Sequence, residues 1–212
     1  MIEVKQLSKK YNTHYVFKNL NFKISRGEMV ALVGPSGVGK STLLNIIGSL
    51  ESFDEGEVLI DGKIMNKREN VKLLRDKFGF LFQNYALIDQ ETVSKNLDIA
   101  LKFKKINNKK KLKEQVMSKV GLKDKMEHKI YELSGGEQQR VALARLMLKS
   151  CNIILADEPT GALDQENRNM VLRFLKELHK EGKTLVIVTH DPYVAEFCDR
   201  KIELQSYVSI EN

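Results

Sequence analysis

Residues 34–42 read GPSGVGKST, a full match to G-x-x-x-x-G-K-[ST]. Gly34, Gly37 and Gly39 free the backbone to wrap an anion, with Pro35, Ser36 and Val38 between them, so that successive N–H groups point at a polyphosphate. In such a loop Lys40 reaches the β- and γ-phosphates, Ser41 offers its hydroxyl to Mg²⁺, and Ser41-Thr42 opens the helix behind. A second acidic element, IILADEPTGALD, spans residues 153–164. An apolar strand ending in Asp157 carries a carboxylate to a sheet edge, where it holds Mg²⁺ through water. Glu158 follows at once. Two adjacent acids repel unless a cation or a task compensates, and Glu158 suits the activation of a water for in-line attack. THDP, residues 189–192, sets His190 at another strand end, placed to bond a γ-phosphate and the attacking water. Gln83 closes FGFLFQ, with its amide in reach of Mg²⁺ or that water. Lastly, ELSGGEQQR at 132–140 is a second phosphate-seeking helix start. Ser134 and Glu137 form a capping box, and Gly135 and Gly136 sit where a helix prefers alanine but an anion requires bare backbone.

The elements that must position these residues follow from pattern. The first quarter reads as antiparallel strands, MIEVKQL, VFKNLNFKI and MVALVG. EVLIDGKIM carries Asp61-Gly62 between β-prone flanks, a hairpin signal. From about 84 to 132 the chain lacks β-branched runs and reads as helical. The last third alternates again: NIILAD is a buried strand, and Asp164 caps a helix with an apolar face of Val171, Phe174, Leu175 and Leu178. Gly182 ends that helix and TLVIVT is the next buried strand. Apolar runs separated by helices predict a mostly parallel sheet covered on both faces. The expected fold is therefore α/β, one domain over 1–212, with core and antiparallel β region in about 1–83 and 133–212 and a helical insertion in about 84–132.

Composition narrows the classes. A hydrophobic share of 42% over 212 residues supports one sizeable core. The N-terminus MIEVKQLSKKYN is polar and alternating, unlike a signal peptide. The longest apolar runs fall far short of the roughly 20 residues of a spanning helix. Cys151 and Cys198 belong to no metal or redox motif and read as buried thiols of a reducing compartment. Net charge is +7, and KFKKINNKKKLK at 102–113 holds seven lysines and no acid. Without arginine or a run of interleaved aromatics this is weak evidence for nucleic acid. It reads either as a solvated connection or as a surface lying near anionic lipid headgroups.

In this order, the P-loop (Walker A), the strand-end glutamine, LSGGE–QQR, LADEP, ALD and TH resemble the nucleotide-binding subunit of an ATP-binding cassette (ABC) transporter over essentially the whole chain. Within the family, GPSGVGKSTLLNIIG, LFQNYALIDQETVSKNLDIAL and LSGGEQQRVALARL are similar to the lipoprotein-release, macrolide-export and antimicrobial-peptide-export group. The resemblance implies a P-loop NTPase fold, ATP and Mg²⁺ as cofactors, and ATP hydrolysis. It implies that Tyr11 stacks on adenine, with Tyr15 as the runner-up. Residues 34–42 would be Walker A, Gln83 the Q-loop, 133–137 the signature, Asp157 and Glu158 Walker B and its base, Ala162-Leu163-Asp164 the D-loop, and His190 the switch histidine. Val38 replaces a more usual small residue, and its side chain is expected to point outward. Two copies are expected to pack head to tail, Ser134, Gly135 and Gly136 of one meeting the γ-phosphate held by the other. A separate membrane permease is the expected partner, at the cytoplasmic face of the membrane, and no nucleic acid is expected. A soluble ABC ATPase acting on DNA or ribosomes would need a long coiled-coil insertion or two cassettes. A signalling or cell-division ATPase with a non-transporting membrane partner would share these motifs.

Overall fold

The computed structural model describes residues 1–65, 70–161 and 163–205. Two sheets form its frame. The antiparallel sheet runs in the order β2 (His14–Ile24), β1 (Ile2–Tyr11), β4 (Glu55–Ile60), β5 (Lys63–Ile64). The hairpin between β4 and β5 turns at Asp61 and Gly62, φ 51° and 79°, the left-handed pair that tight two-residue turns demand. The second sheet is parallel, in the order β6 (Phe78–Leu81), β7 (Ile153–Asp157), β8 (Thr184–Val188), β3 (Met29–Val33), β9 (Arg200–Glu203).

One strand assignment is corrected. MVALV does not extend the antiparallel sheet; as β3 it lies between β8 and β9, parallel to both. Met29 to Leu32 are all at 0% exposure. A strand buried on both faces reads as a continuous apolar run and belongs inside a covered parallel sheet. The helical reading of 84–132 is also trimmed. Residues 84–92 form a turn, with Tyr85 and Ala86 at φ 61° and 46°, before α3 (Val93–Leu101) and α4 (Lys109–Lys119). Two 3₁₀ turns, Lys123–Lys125 and Ile130–Glu132, lead back to the core.

α1 (Lys40–Ile47) buries Leu43, Leu44, Ile46 and Ile47 in a cluster filled from β1, β3, β7 and β8, so the two sheets share one core. Two further helices are α2 (Asn70–Asp76) and α5 (Gly135–Leu148). α6 (Gln165–Lys180) has Asp164 as its N-cap, buries Val171, Leu172, Leu175 and Leu178, and gives way to Gly182 at φ 83°. It covers the other face of the parallel sheet together with α5 and α7 (Pro192–Glu196). α5 is apolar on two sides. Ala142, Leu143 and Leu146 join the sheet-side cluster, while Val141, Ala144 and Leu148 join a third cluster with α3 and α4. Cys151 is buried as expected, but Cys198 is only half-buried.

Candidate active site

Because the five-stranded sheet is parallel, every strand delivers its C-terminal end to one edge, where ligands of open α/β sheets collect. The loop after β3 is 34–39, Asp157 ends β7 with Glu158 next after it, His190 follows β8, and Gln83 follows β6, exposed at the same edge.

The 34–39 loop is tightly constrained. Gly34 has φ 146°, and a Cβ there would stand 2.4 Å from the Leu204 carbonyl oxygen. Gly39 is the N-cap of α1 at φ 93°, and a Cβ would meet Val16 Cγ1 at 2.3 Å. No side chain caps α1 and its first turn holds no acid, so its positive end is left for an anion. Lys40, 9% exposed, folds back to donate to the carbonyl oxygens of Gly34 and Pro35 at 2.9 and 2.8 Å. The outward placement expected of Val38 is overturned. It is 5% exposed and belongs to the core shared by the sheets. The loop curls around its own floor, so Val38 Cγ1 lies beneath Gly34, 3.2 Å from where that residue's Cβ would be.

Ser41 Oγ donates to Asp157 Oδ1 at 3.0 Å. Burial pushes the Asp157 carboxyl above its ordinary value. The Ser41 bond opposes this and neighbouring Glu158 reinforces it. A half-buried carboxylate beside a hydroxyl and a second acid is suited to a hard cation that takes its other oxygens from phosphate and water, so these residues fit Mg²⁺. Glu158 has φ 44°, a left-handed backbone that costs a non-glycine residue on the order of 1–3 kcal/mol. The turn presents its carboxylate to His190, whose Nδ1 lies 2.8 Å from Glu158 Oε1. The Glu158 side chain is 14% exposed and that of His190 75%.

Tyr11, at the end of β1, donates its hydroxyl to Glu51 and also touches Thr42, while Lys9 Nζ lies 4.9 Å from its ring centroid. The ring is thus fixed beside the helix that follows the loop, yet is 51% exposed. Tyr15 sits in β2 with Lys18 Nζ over its ring.

The remaining candidates form a second cluster. Ser134 N-caps α5 and accepts from Glu137 N at 3.3 Å, while Glu137 Oε2 accepts from Ser134 N at 2.8 Å, completing the capping box. The Ser134 amide holds the Glu137 carboxyl below its ordinary value. Gly135 is exposed, but a Cβ on Gly136 would lie 2.8 Å from Asn167 Nδ2. Asn167 in turn binds Asp164 through its backbone N and Nδ2 at 2.8 and 2.7 Å, and accepts from Arg140 Nη1 at 2.7 Å. Asp164 is thereby occupied as the cap of α6, and Ala162 lies outside the described residues. Glu51, Asn167 and Arg145 escape the motif reading. Asn167 was open to discovery as the third residue after a capping Asp, whereas nothing in the pattern marks Glu51.

Residues 17–161 match the family described as ABC transporter. The chain belongs to the ABC transporter family. Solved structures agree with this cassette. A dimeric post-hydrolysis state of the ATP-binding cassette MJ0796 bound to ADP and Pi is 40% identical, with a TM-score of 0.88, covering 97% of this chain and 94% of that one. A cassette from Clostridium perfringens, cbiO1 of the ABC transporter complex cbiONQ, is 27% identical with a TM-score of 0.83, covering 96% of this chain and 84% of that one. Among sequence relatives, the macrolide export ATP-binding/permease protein MacB of Shewanella sp. (strain ANA-3) is 44% identical over 202 residues. That alignment covers 93% of this chain but 31% of MacB, so the cassette spans about a third of these relatives. Among the described residues, no helix is long and apolar enough to cross a membrane.

Proposed function

We propose that this cassette binds and hydrolyses ATP with Mg²⁺, closes head to tail on a second copy when ATP is bound, and drives a separate membrane permease of the export type. The observation that carries the reading is the gathering of the P-loop, the Ser41–Asp157 pair and the Glu158–His190 pair at one edge of a parallel sheet. A triphosphate arriving at α1 displaces the Lys40 ammonium from the Gly34 and Pro35 carbonyls and takes its charge instead. Ser41, Asp157 and Gln83 would hold Mg²⁺, which would supply charge neutralisation on the phosphates. His190 with its proton on Nδ1 donates to Glu158 Oε1, leaving Oε2 to accept a proton from water. The water oxygen bonds to the γ-phosphorus as the bond to the bridging oxygen breaks, giving ADP and phosphate. Tyr11 suits adenine stacking because its ring is exposed yet pinned through Glu51.

Ser134, Gly135 and Gly136 present a second helix start, on α5, and the dimeric MJ0796 relative supports assigning it to a partner's γ-phosphate. In this reading, residues 84–132 act as an arm on a core formed by about 1–83 and 133–212. A groove of about 1000 Å³ beside the Gln83 turn, walled by Phe80, Phe82, Ile99 and Leu146, is suited to a permease segment. The MacB relatives support the export reading, and a position at the cytoplasmic face of a membrane belongs to the same proposal. The test is Glu158→Gln. The variant should keep ATP affinity, lose turnover by about 10²–10⁴-fold, and accumulate as an ATP-bound dimer in size-exclusion chromatography. Hydrolysis near the wild-type rate would remove Glu158 as the base.

A further inference from the structure

Two of the seven lysines in 102–113 are used in folding. Lys113, 7% exposed, donates to Ser94 Oγ and Asp98 Oδ1 at 2.8 and 2.9 Å. Lys104 donates to the Leu148 carbonyl and Ser150 Oγ at 2.5 and 2.7 Å, closing the end of α5. The other five, Lys102, Lys105, Lys109, Lys110 and Lys111, form no ion pair among the described residues. Helix stability does not explain them. Lys109, Lys110 and Lys111 make up the first turn of α4, which holds no acid, and cations there oppose the helix dipole.

Apolar surface accompanies this charge. Val71 and Phe103 are the two most exposed large hydrophobic side chains among the described residues, at 73% and 71%. Both line the groove that also holds Ile99, 47% exposed. Lys102 Nζ and Arg75 Cζ each lie 5.8 Å from the Phe103 ring centroid. Arg75 is paired with Asp76 at 2.7 and 2.9 Å, so the unpaired charge beside the ring comes from Lys102 and the other lysines of the segment. An exposed aromatic ring flanked by unpaired lysines is the composition that inserts at a lipid interface, the ring at headgroup level and the ammonium groups among phosphates.

We infer that the lip formed by Phe103 and the lysines around it is a peripheral contact for an anionic bilayer surface. Nucleic acid fits less well, because the segment has one aromatic, no arginine and no row of stacking platforms. A folded acidic partner also fits less well, because protein–protein interfaces are depleted in lysine and enriched in arginine, which this segment lacks. The inference rests on the proposed membrane-side groove only for orientation, since the lip borders that groove. Association with a membrane subunit in detergent tests the groove separately.

The experiment is flotation of the purified chain with phosphatidylcholine vesicles, with and without phosphatidylglycerol. Binding is expected only to the anionic vesicles and should weaken with salt. A lysine near a negative surface contributes about fivefold in partitioning, so Lys102→Gln/Lys110→Gln/Lys111→Gln should lower it about a hundredfold. Phe103→Ala should lower it about tenfold, with little salt dependence. Lys23→Gln/Lys180→Gln/Lys201→Gln carries the same charge change on β2, α6 and β9, and should float like wild type apart from a small loss. Matching melting temperatures exclude a folding effect; if the lip triple melts early, Phe103→Ala and the salt titration decide. The inference is overturned by equal binding to both vesicle types, by no binding to either, by undiminished flotation of the folded lip variants, or by an oligonucleotide held more tightly than the vesicles at equal salt.

Discussion

Gly136→Ala separates two reasons for a glycine at the start of α5. If the residue serves only to expose backbone, alanine should stabilise the helix, by up to about 1 kcal/mol and less so near its first turn. The packing predicts the opposite. The new Cβ would stand 2.8 Å from Asn167 Nδ2 and 3.1 Å from its Cγ. Reaching ordinary contact needs a retreat of roughly 0.6 Å, and Asn167 has little room to give it. Its amide holds Asp164 Oδ2 and Arg140 Nη1, both at 2.7 Å. Arg140 has a buried Nε without a partner, so loss of the Asn167 bond strips it further. Weakening two hydrogen bonds to charged groups, one of them partly exposed, costs about 2 kcal/mol. The net destabilisation is about 1–2 kcal/mol, a fall of about 2–8 °C in melting temperature for a chain of this size. Calorimetry of the nucleotide-free chain reads it directly. Gly135→Ala is the internal control, because its Cβ meets only Tyr85 Oη at 3.6 Å and should leave the melting temperature unchanged or higher. In an Asn167→Ala background the clash disappears, and Gly136→Ala should become neutral or stabilising, a coupling of about 1 kcal/mol or more. Gly136→Ala melting at or above wild type, with Asn167 intact, would refute the packing argument.

Other outcomes follow from the same contacts. Burial pushes the Asp61 carboxyl up, but hydrogen bonds from Lys77, Arg26 and the Met1 amino group overcome this and hold it well below the ordinary carboxylate range. A depressed carboxyl contributes stability above its unfolded value of about 3.9 and loses it as pH falls through the folded value. Asp61→Asn keeps the left-handed turn, so it should be about 1–2 kcal/mol less stable at pH 7, and urea titrations should show that gap closing below pH ~4. Asn96, fully buried, bonds Ile88 N, Ile88 O and Thr92 O at 2.8, 3.1 and 3.0 Å. Asn96→Ala should cost about 2–4 kcal/mol and speed amide exchange across 84–92, read by hydrogen-exchange mass spectrometry. Lys40→Ala should abolish nucleotide binding in calorimetry. Mixed with Ser134→Arg chains it should restore up to one active site per heterodimer, and heterodimers no more active than either variant would exclude completion in trans.

How much was legible depended on whether a residue's role is local. The P-loop could be read because Gly34 and Gly39 are fixed by backbone angles and contacts that tolerate only hydrogen at Cα. The caps of α5 and α6 were readable for the same reason, since Ser134, Glu137, Asp164 and Asn167 act within four residues. Which sheet MVALV joins is decided by partners more than 150 residues away, Leu185 to Val188, and only its unbroken apolar run hinted at it. Val38 misled because the loop's curvature, rather than residue alternation, decides which side chains face the core. α2 and β9 were missed because they carry little apolar pattern: NVKLLRD exposes Val71, and in RKIE only Ile202 is even half-buried. The Gly136–Asn167 contact crosses two helices and has no periodic signature at all.

The central element is α5. Its 14 residues span about 21 Å. At one end Ser134 and Gly135 stand exposed; at the other, Lys104 closes the Leu148 carbonyl. Between them, Gln139 Nε2 donates to the Pro159 carbonyl at 2.6 Å, and Arg140 reaches Asn167 beside Asp164. One turn later Arg145 Nη1 and Nη2 clasp the Ala86 and Tyr85 carbonyls at 2.5 and 2.8 Å. Those two residues hold left-handed backbones just after Gln83, a strain that persists because Arg145 over-determines the turn. Burial lowers the Arg145 pKa, yet guanidinium stays charged and its carbonyl partners replace the lost water. A helix packed into two clusters cannot slide past one of them without disturbing the other, so it moves with both or not at all. The exposed Ser134 end of α5 and the turn after Gln83 are thus joined by contacts of a single helix, with no chain of intervening side chains between them.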